Sequence, residues 1–219
     1  MISNRENDMA VEREIAKYLD KYLYSNTDIF KEYARTDTTY ERLKGSDVIL
    51  STSDGLLYRT VVDEKVAAKY ANTQLNSFAL ELSFINRHGD KSCGWFLDYS
   101  KNTEYYLFGW INKADIPHKE GTNKYETNAI TAENIKELEW ALVSRRKIQK
   151  FLEKSGWTLD RLARQDEKIR ENEGVKTKGF IGDVAFRYSG EYVEKPVNLL
   201  LKRETYIKLS DYHGIIKTE

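Results

Sequence analysis

Hydrophobic and polar positions change period along this chain. Between residues 8 and 24, Val11, Ile15, Tyr18 or Leu19, and Tyr22 recur at three- and four-residue spacing, which predicts an amphipathic helix with Asp8 as its N-cap. From residue 29 the period falls towards two. A short edge strand is predicted over 29–36, then strands over 46–52 and 56–67 joined across Ser53-Asp54-Gly55, because Asp-Gly between apolar runs favours a hairpin. SFALELSFI (77–85), CGWFLDY (93–99) and TEYYLFGWI (103–111) read as three further strands, with Ser100-Lys101-Asn102 as the turn between the last two. Aromatic and β-branched residues dominate them, as a pleated, half-buried surface prefers.

Beyond residue 130 the helical period returns. Thr131 is the expected cap of a long helix to Lys154, with Ile135, Leu138, Leu142 and Ile148 or Phe151 inward. Thr158 is the expected cap of a second helix to about Glu171, broken near Gly174. FIGDVAFRY (180–188) and EKPVNLLLK (194–202) form an expected strand pair, followed by a short helix over 203–211. The order of elements predicts one α+β (α/β) domain over 1–219: a core at 8–125, a helical segment at 126–178, and C-terminal strands and helix at 179–219.

Composition narrows the class. Hydrophobic residues make up 40% and charged residues 32%, a globular balance and not that of a disordered chain. No apolar run is long enough for a membrane span, so no membrane partner is expected. The stretch MISNRENDMAVERE lacks the apolar segment of a signal peptide. Cys93 has no second cysteine to pair with and no basic neighbour, so a small buried side chain in a reducing, cytoplasmic setting is expected. Net charge is zero, but 145–164 holds seven basic residues against two acidic ones. Arg145, Arg146, Lys147, Lys150 and Lys154 therefore form either a solvated helix face or a phosphate-binding one.

Several familiar chemistries are excluded. The chain has no Gly-x-x-x-x-Gly-Lys phosphate loop, no Gly-x-Gly-x-x-Gly turn and no Gly-x-Ser-x-Gly elbow. His88, His118 and His213 lie far apart, without metal-ligand spacing. The acids remain. Acid-x-Lys triplets occur at Asp63-x-Lys65 and at Asp166-x-Lys168, the second in a charged helical run where a surface position is expected. In a strand, Asp63 and Lys65 share a face and Glu64 takes the other. Folding the hairpin about Asp54-Gly55 sets Asp47 opposite position 62, within one step of Asp63. Two carboxylates that close repel, and a cation such as Mg²⁺ between them would relieve the repulsion; an Asp63–Lys65 pair at a fraying strand end is the alternative.

Asp47, the Asp63-x-Lys65 triplet and the Val11-Glu12-Arg13 run in the first helix together resemble the PD-(D/E)xK nuclease superfamily, and the helix resembles that of archaeal Holliday-junction resolvases. The resemblance implies a restriction-endonuclease-like fold, with a mixed central β-sheet flanked by helices. Ser46 stands where a proline often precedes the first acid, and Asp63 where Glu is more frequent. The segment 69–76 is too short for the usual crossover helix, a role that could pass to 131–154. The resemblance implies Mg²⁺-dependent DNA cleavage of the restriction, resolvase or phage-recombination kind, with Mn²⁺ as a substitute. Glu12, Asp47 and Asp63 would bind metal, and Lys65 would orient water or stabilise charge on phosphorus. Glu14, about 200° further round the helix, is a weaker match than Glu12.

Glu81 is either a further acid or an outward, solvated glutamate. Trp95, Phe96, Tyr99, Tyr105, Tyr106, Phe108 and Trp110 either stack bases or build the sheet core. DNA is the expected partner, with RNA as the alternative, and a homodimer suits an enzyme that cuts both strands. The rival class is a catalytically silent binding module on the same fold.

Overall fold

The computed structural model describes residues 4–36, 38–172 and 179–218; the expected break near Gly174 lies outside them. Helix α1 (Asn4–Leu19) runs into a π-helical turn at Asp20–Tyr24, so Asp8 lies inside the helix and is not its cap. Val11, Ile15, Tyr18 and Leu19 are buried, as the apolar spacing describes, while Tyr22 is half-buried and Leu23 takes the next core position.

Two sheets carry the rest. One is six-stranded, in the order β1 (Phe30–Arg35), β2 (Val48–Thr52), β3 (Thr60–Val66), β6 (Tyr105–Ala114), β7 (Ile135–Ser144) and β10 (Tyr212–Lys217). The pair β3–β6 is parallel and the other neighbours are antiparallel, so the sheet is mixed. The second is a four-stranded antiparallel sheet in the order β5 (Lys91–Cys93), β4 (Ser77–Ile85), β9 (Val197–Lys202), β8 (Val184–Tyr188). The fold is α+β, with a mixed sheet and helices α1, α2 (Thr39–Leu43), α3 (Arg145–Lys154), α4 (Leu159–Glu171) and α5 (Arg203–Leu209).

The six-stranded sheet separates two cores. Val48, Leu50, Val62, Leu107, Leu138, Trp140 and Leu142 pack with α1 on one face. Tyr106, Phe108, Trp110, Ala141 and Val143 meet Leu80, Leu82, Leu199, Leu201 and the inner residues of α3 and α4 on the other. The sheet curls strongly. Tyr212 on β10 donates its hydroxyl to Asp54 at 2.7 Å, although a flat sheet would hold β10 and β2 about 19 Å apart. Phe30 on β1 likewise reaches within 6.1 Å of Trp140 on β7.

Four sequence expectations need correction. Residues 135–144 form strand β7, not the first half of a helix, and only 145–154 is helical. Leu138, Trp140 and Leu142 alternate onto the α1 core, and register shifts opposite Lys113 and Ala114 bring Ile135 to the same side, which mimics three- and four-residue spacing. The segment 93–99 is not a strand paired with 103–111. It turns tightly after Gly94, with Leu97 and Asp98 both donating to the Gly94 carbonyl at 3.1 Å. The crossover between parallel β3 and β6 carries β4 and β5 of the second sheet, so neither 69–76 nor 131–154 supplies it as a long helix. Finally, Cys93 is exposed, because β5 is a short edge strand.

The edge strand at 30–35, the pair β8–β9, helix α5 and the Thr158 cap of α4, which accepts from the Arg161 amide, follow the sequence expectations. Strand β10 had no counterpart in them. Among the described residues no helix is long and apolar enough to cross a membrane.

Candidate functional site

Strand β3 divides its charges between the two cores. Val62 faces α1 and is fully buried, so Asp63 and Lys65 face the second sheet and Glu64 faces α1. Glu64 is locked there, accepting from the Tyr24 hydroxyl at 2.7 Å and from the Arg35 guanidinium at 2.6 Å. Arg35 also donates to Asp20 at 2.9 Å and to the Ala16 carbonyl at 3.0 Å.

On the other face, Asp63 is 4% exposed and pairs with the Lys65 ammonium. The strand has not ended there: Asp63, Lys65 and Val66 continue in register with Tyr106, Phe108 and Gly109 of β6. Asp47 sits one residue before β2. The observed pairing Val48–Val62, extended by one step, sets it opposite Asp63, one position from the expected register. Its Oδ2 accepts from the Glu64 amide at 2.8 Å. Burial, then the adjacent Asp63 charge, push the Asp47 carboxyl from 3.8 up to about 7, with Lys65 pulling the other way. Burial pulls Lys65 down, but Asp63, Asp47 and Glu12 together outweigh it and hold the ammonium above its usual value.

Two further acids border this group. Glu12, on an exposed position of α1, is raised by the protein packed around it, with Lys65 opposing and Asp8 and Asp63 adding. Glu14 turns elsewhere, binding Lys17 at 2.6 Å and the Ala132 amide at 3.1 Å. Glu81 is half-buried, not outward and solvated; burial raises it, while the Trp95 amide and the charges of Lys65 and Lys101 lower it. Four carboxyl groups thus feel the charge of one lysine, which leaves negative charge in excess when all are ionised.

Neighbouring residues that sequence reasoning did not connect to these acids fix the geometry. The Lys65 ammonium lies 5.2 Å from the centre of the Trp95 ring, which packs edge-on against Tyr106. Trp95 reaches it because Gly94 runs against β4, where a Cβ would stand 2.4 Å from the Glu81 carbonyl oxygen. Gly45 adopts φ +72°, and a Cβ there would meet Thr103 Oγ1 at 2.3 Å and Asp63 Oδ2 at 3.5 Å. Thr103 also donates to the Gly45 carbonyl at 2.8 Å. A glycine before Ser46-Asp47 and a tryptophan after another glycine were the available signals.

The basic segment 145–154 behaves unevenly. Arg145 is a brace: its guanidinium donates to the carbonyls of Phe96 at 3.1 Å, Asp98 at 2.9 Å and Lys101 at 3.4 Å. Lys147 pairs with Asp211 at 2.7 Å. Arg146, Lys150 and Lys154 lie on the exposed side of α3. Of the aromatic set, Phe96, Tyr106, Phe108 and Trp110 are core residues, Trp95 and Tyr105 are half-buried, and Tyr99 is exposed. Asp166 is corrected too. It is buried at 2%, where it binds Lys91 at 2.6 Å and accepts from Ser83, fastening α4 to β4.

A divalent cation is chemically suited to Asp47 and Asp63. They are adjacent hard oxygen donors, with one carboxyl kept protonated to about 7 by burial and by the neighbouring Asp63 charge. Mg²⁺ commonly takes one or two carboxylates and completes its shell with water and substrate phosphate. Among the described residues no three His, Cys, Asp or Glu side chains gather closely enough to form a metal cage by themselves. Comparison with protein-family models, curated proteins and solved structures returned no match to this chain.

Proposed function

We propose that this protein is a metal-dependent endonuclease that hydrolyses DNA phosphodiester bonds on a restriction-endonuclease-like core. The observation that carries the reading is the contact of Asp47, Asp63 and Lys65 across β2 and β3, with excess negative charge, and with Glu12 of α1 close enough to feel the charges of Lys65 and Asp63. A helix packed on a mixed sheet, an acid leading one strand and acid-x-Lys on the next are the features of the resemblance, and all of them occur here.

The roles follow from charge. Asp47 and Asp63 would hold Mg²⁺ or Mn²⁺, with Glu12 as the outer acid; the ion supplies phosphate polarisation and a lowered pKa for bound water. Lys65, held above its usual pKa, stays an ammonium at neutral pH and can orient the attacking water or bind negative charge developing on phosphorus. Trp95 limits the positions open to that ammonium. Glu64 takes no part, since Arg35 and Tyr24 hold it on the far face.

The test is cleavage of plasmid, single-stranded, branched DNA and RNA with Mg²⁺ or Mn²⁺, comparing wild type with Asp63→Ala and Lys65→Ala. Nicking or linearisation by wild type alone is the expected result. No cleavage by wild type, or equal cleavage by both variants, overturns the reading. The second reading is a silent binding module, favoured by the Asp63–Lys65 pair, which satisfies one acid internally. It requires that Mn²⁺ leave the melting temperature unchanged.

A further inference from the structure

Two exposed tyrosines stand on segments that are braced against each other, and the first of these segments leads to the carboxylate group. Tyr40, on α2, is 68% exposed and Tyr99, in the turn after Trp95, is 70% exposed. The Tyr40 segment leads to Asp63, and the Tyr99 segment ends at Thr103, which holds Gly45 there. The chain leaves α2 at Leu43 and reaches Gly45, whose Cα faces the Asp63 carboxylate. From the other side, Asn102 donates to the Lys44 carbonyl at 2.7 Å, Lys101 donates its ammonium to the Leu43 carbonyl, and Thr103 holds Gly45.

The turn that carries Tyr99 is also fixed internally. Ser100 donates its amide to Asp98 Oδ1 at 2.8 Å, Lys101 donates its amide to the Asp98 carbonyl, and the Arg145 guanidinium holds the carbonyls of Phe96, Asp98 and Lys101. Rigid backbone thus presents a large planar side chain that packs on no core. A lysine accompanies the first ring, and another joins the two segments. Lys44 stands 5.9 Å from the Tyr40 ring, and Lys101 lies between the two segments.

Planar side chains beside ammonium groups, next to a carboxylate site, match the two parts of a single nucleic-acid strand: bases that stack and phosphates that need positive charge. A duplex hides its base faces and offers these rings nothing to stack upon.

Resting on the nuclease reading, we infer that Tyr40 and Tyr99 form a stacking platform for unpaired bases, so that the preferred DNA substrate is single-stranded next to the scissile phosphate. Arg145 acts as the positioning residue that sets the Tyr99 turn. Its role also accounts for why the first arginine of the basic segment is turned inward.

Binding separates this inference from the nuclease reading. Fluorescence anisotropy of labelled single-stranded DNA, the same strand with abasic sites, and a duplex is measured with Ca²⁺ in an Asp63→Asn background. Tyr40→Ala and Tyr99→Ala are each expected to weaken single-strand binding about fivefold or more, from a stacking worth of roughly 1–3 kcal/mol per base. Tyr99→Phe should restore it, and neither alanine should change binding to the abasic strand or the duplex. Melting temperatures control for folding, which both exposed positions should preserve. Single-strand binding indifferent to both tyrosines overturns the platform and leaves the nuclease reading standing. Loss of duplex and single-strand binding in equal measure also overturns it. Failure of every DNA to bind removes both readings together.

Discussion

Glu64 and Asp63 are consecutive residues of one strand, and their surroundings differ in kind. Glu64 meets an arginine, which itself reaches Asp20, and a tyrosine hydroxyl; its oxygens are occupied by donors built into the π-helical turn and β1. Asp63 shares a single lysine with Asp47, and Glu12 and Glu81 also draw on that lysine's charge. The first face is an ion-pair network closed by its own chain. The second lacks positive charge, and an outside cation could supply it. Both carboxylates are buried or half-buried, and the number of donors and cations that each one meets separates them.

The largest expected effect breaks that comparison at its open side. Asp63→Ala and Lys65→Ala should each lower DNA cleavage about a hundredfold or more, the scale for removing one group that stabilises developing charge. Glu64→Gln, measured at a temperature where it remains folded, should keep most of its activity. If Glu64→Gln matches Asp63→Ala in the same assay, the two faces do not differ as described.

A second effect follows from Asp47. Its carboxyl is raised from 3.8 to about 7, so the folded protein binds this proton more tightly than the unfolded chain does. The stabilisation is complete below pH 3.8 and is lost as pH rises to about 7, with a ceiling of ~4 kcal/mol. Asp47→Asn should therefore melt higher than wild type above pH 7 and lose that advantage at pH 4. Mn²⁺ should raise the wild-type melting temperature most above pH 7, where both carboxyls are free to bind it. Equal pH dependence of wild type and Asp47→Asn would show that the crowding of acids carries no cost.

Glu64→Gln itself should cost roughly 3 kcal/mol, because a half-buried Arg35 loses its shorter carboxylate contact and keeps Asp20 alone. Chemical denaturation reads this directly. Little change there would mean that Arg35 turns to water without penalty.

How far the site was legible follows from which contacts are local. Alternation alone separates Asp63 and Lys65 from Glu64, and Asp-Gly brings Asp47 close. The register differs by one because the connection between β2 and β3 runs over residues 53–59, longer than a tight two-residue turn. Partners distant in sequence left no such trace. Glu81 and Trp95 were named without a place beside Lys65, because one comes from β4 and the other from the turn after β5, and Asp166 is drawn inward by Ser83 and Lys91. Strand β7 was hidden because it is buried on both faces and carries register shifts, so its apolar positions lose the period of two. Helix α1, in contrast, packs one stripe on one surface, so its existence and buried face were legible although its start lies four residues before the expected cap.

The smallest effect compares two acids on that helix. Glu12 and Glu14 are two residues apart, yet Glu12 feels Lys65 and Asp63 while Glu14 binds Lys17 and the Ala132 amide. Burial raises the Glu12 carboxyl, so its ionisation disfavours folding slightly as pH climbs past 4.5, and a bound cation would reverse that sign. Glu12→Gln should weaken Mn²⁺ binding several-fold in calorimetry while leaving apo-protein stability unchanged or raised at neutral pH. Glu14→Gln should leave Mn²⁺ affinity at the wild-type value. Equal affinities in all three proteins would take Glu12 out of the site and leave Asp47 and Asp63 as the protein's donors; a weakened Glu14→Gln would mean that α1 presents a different face to the metal.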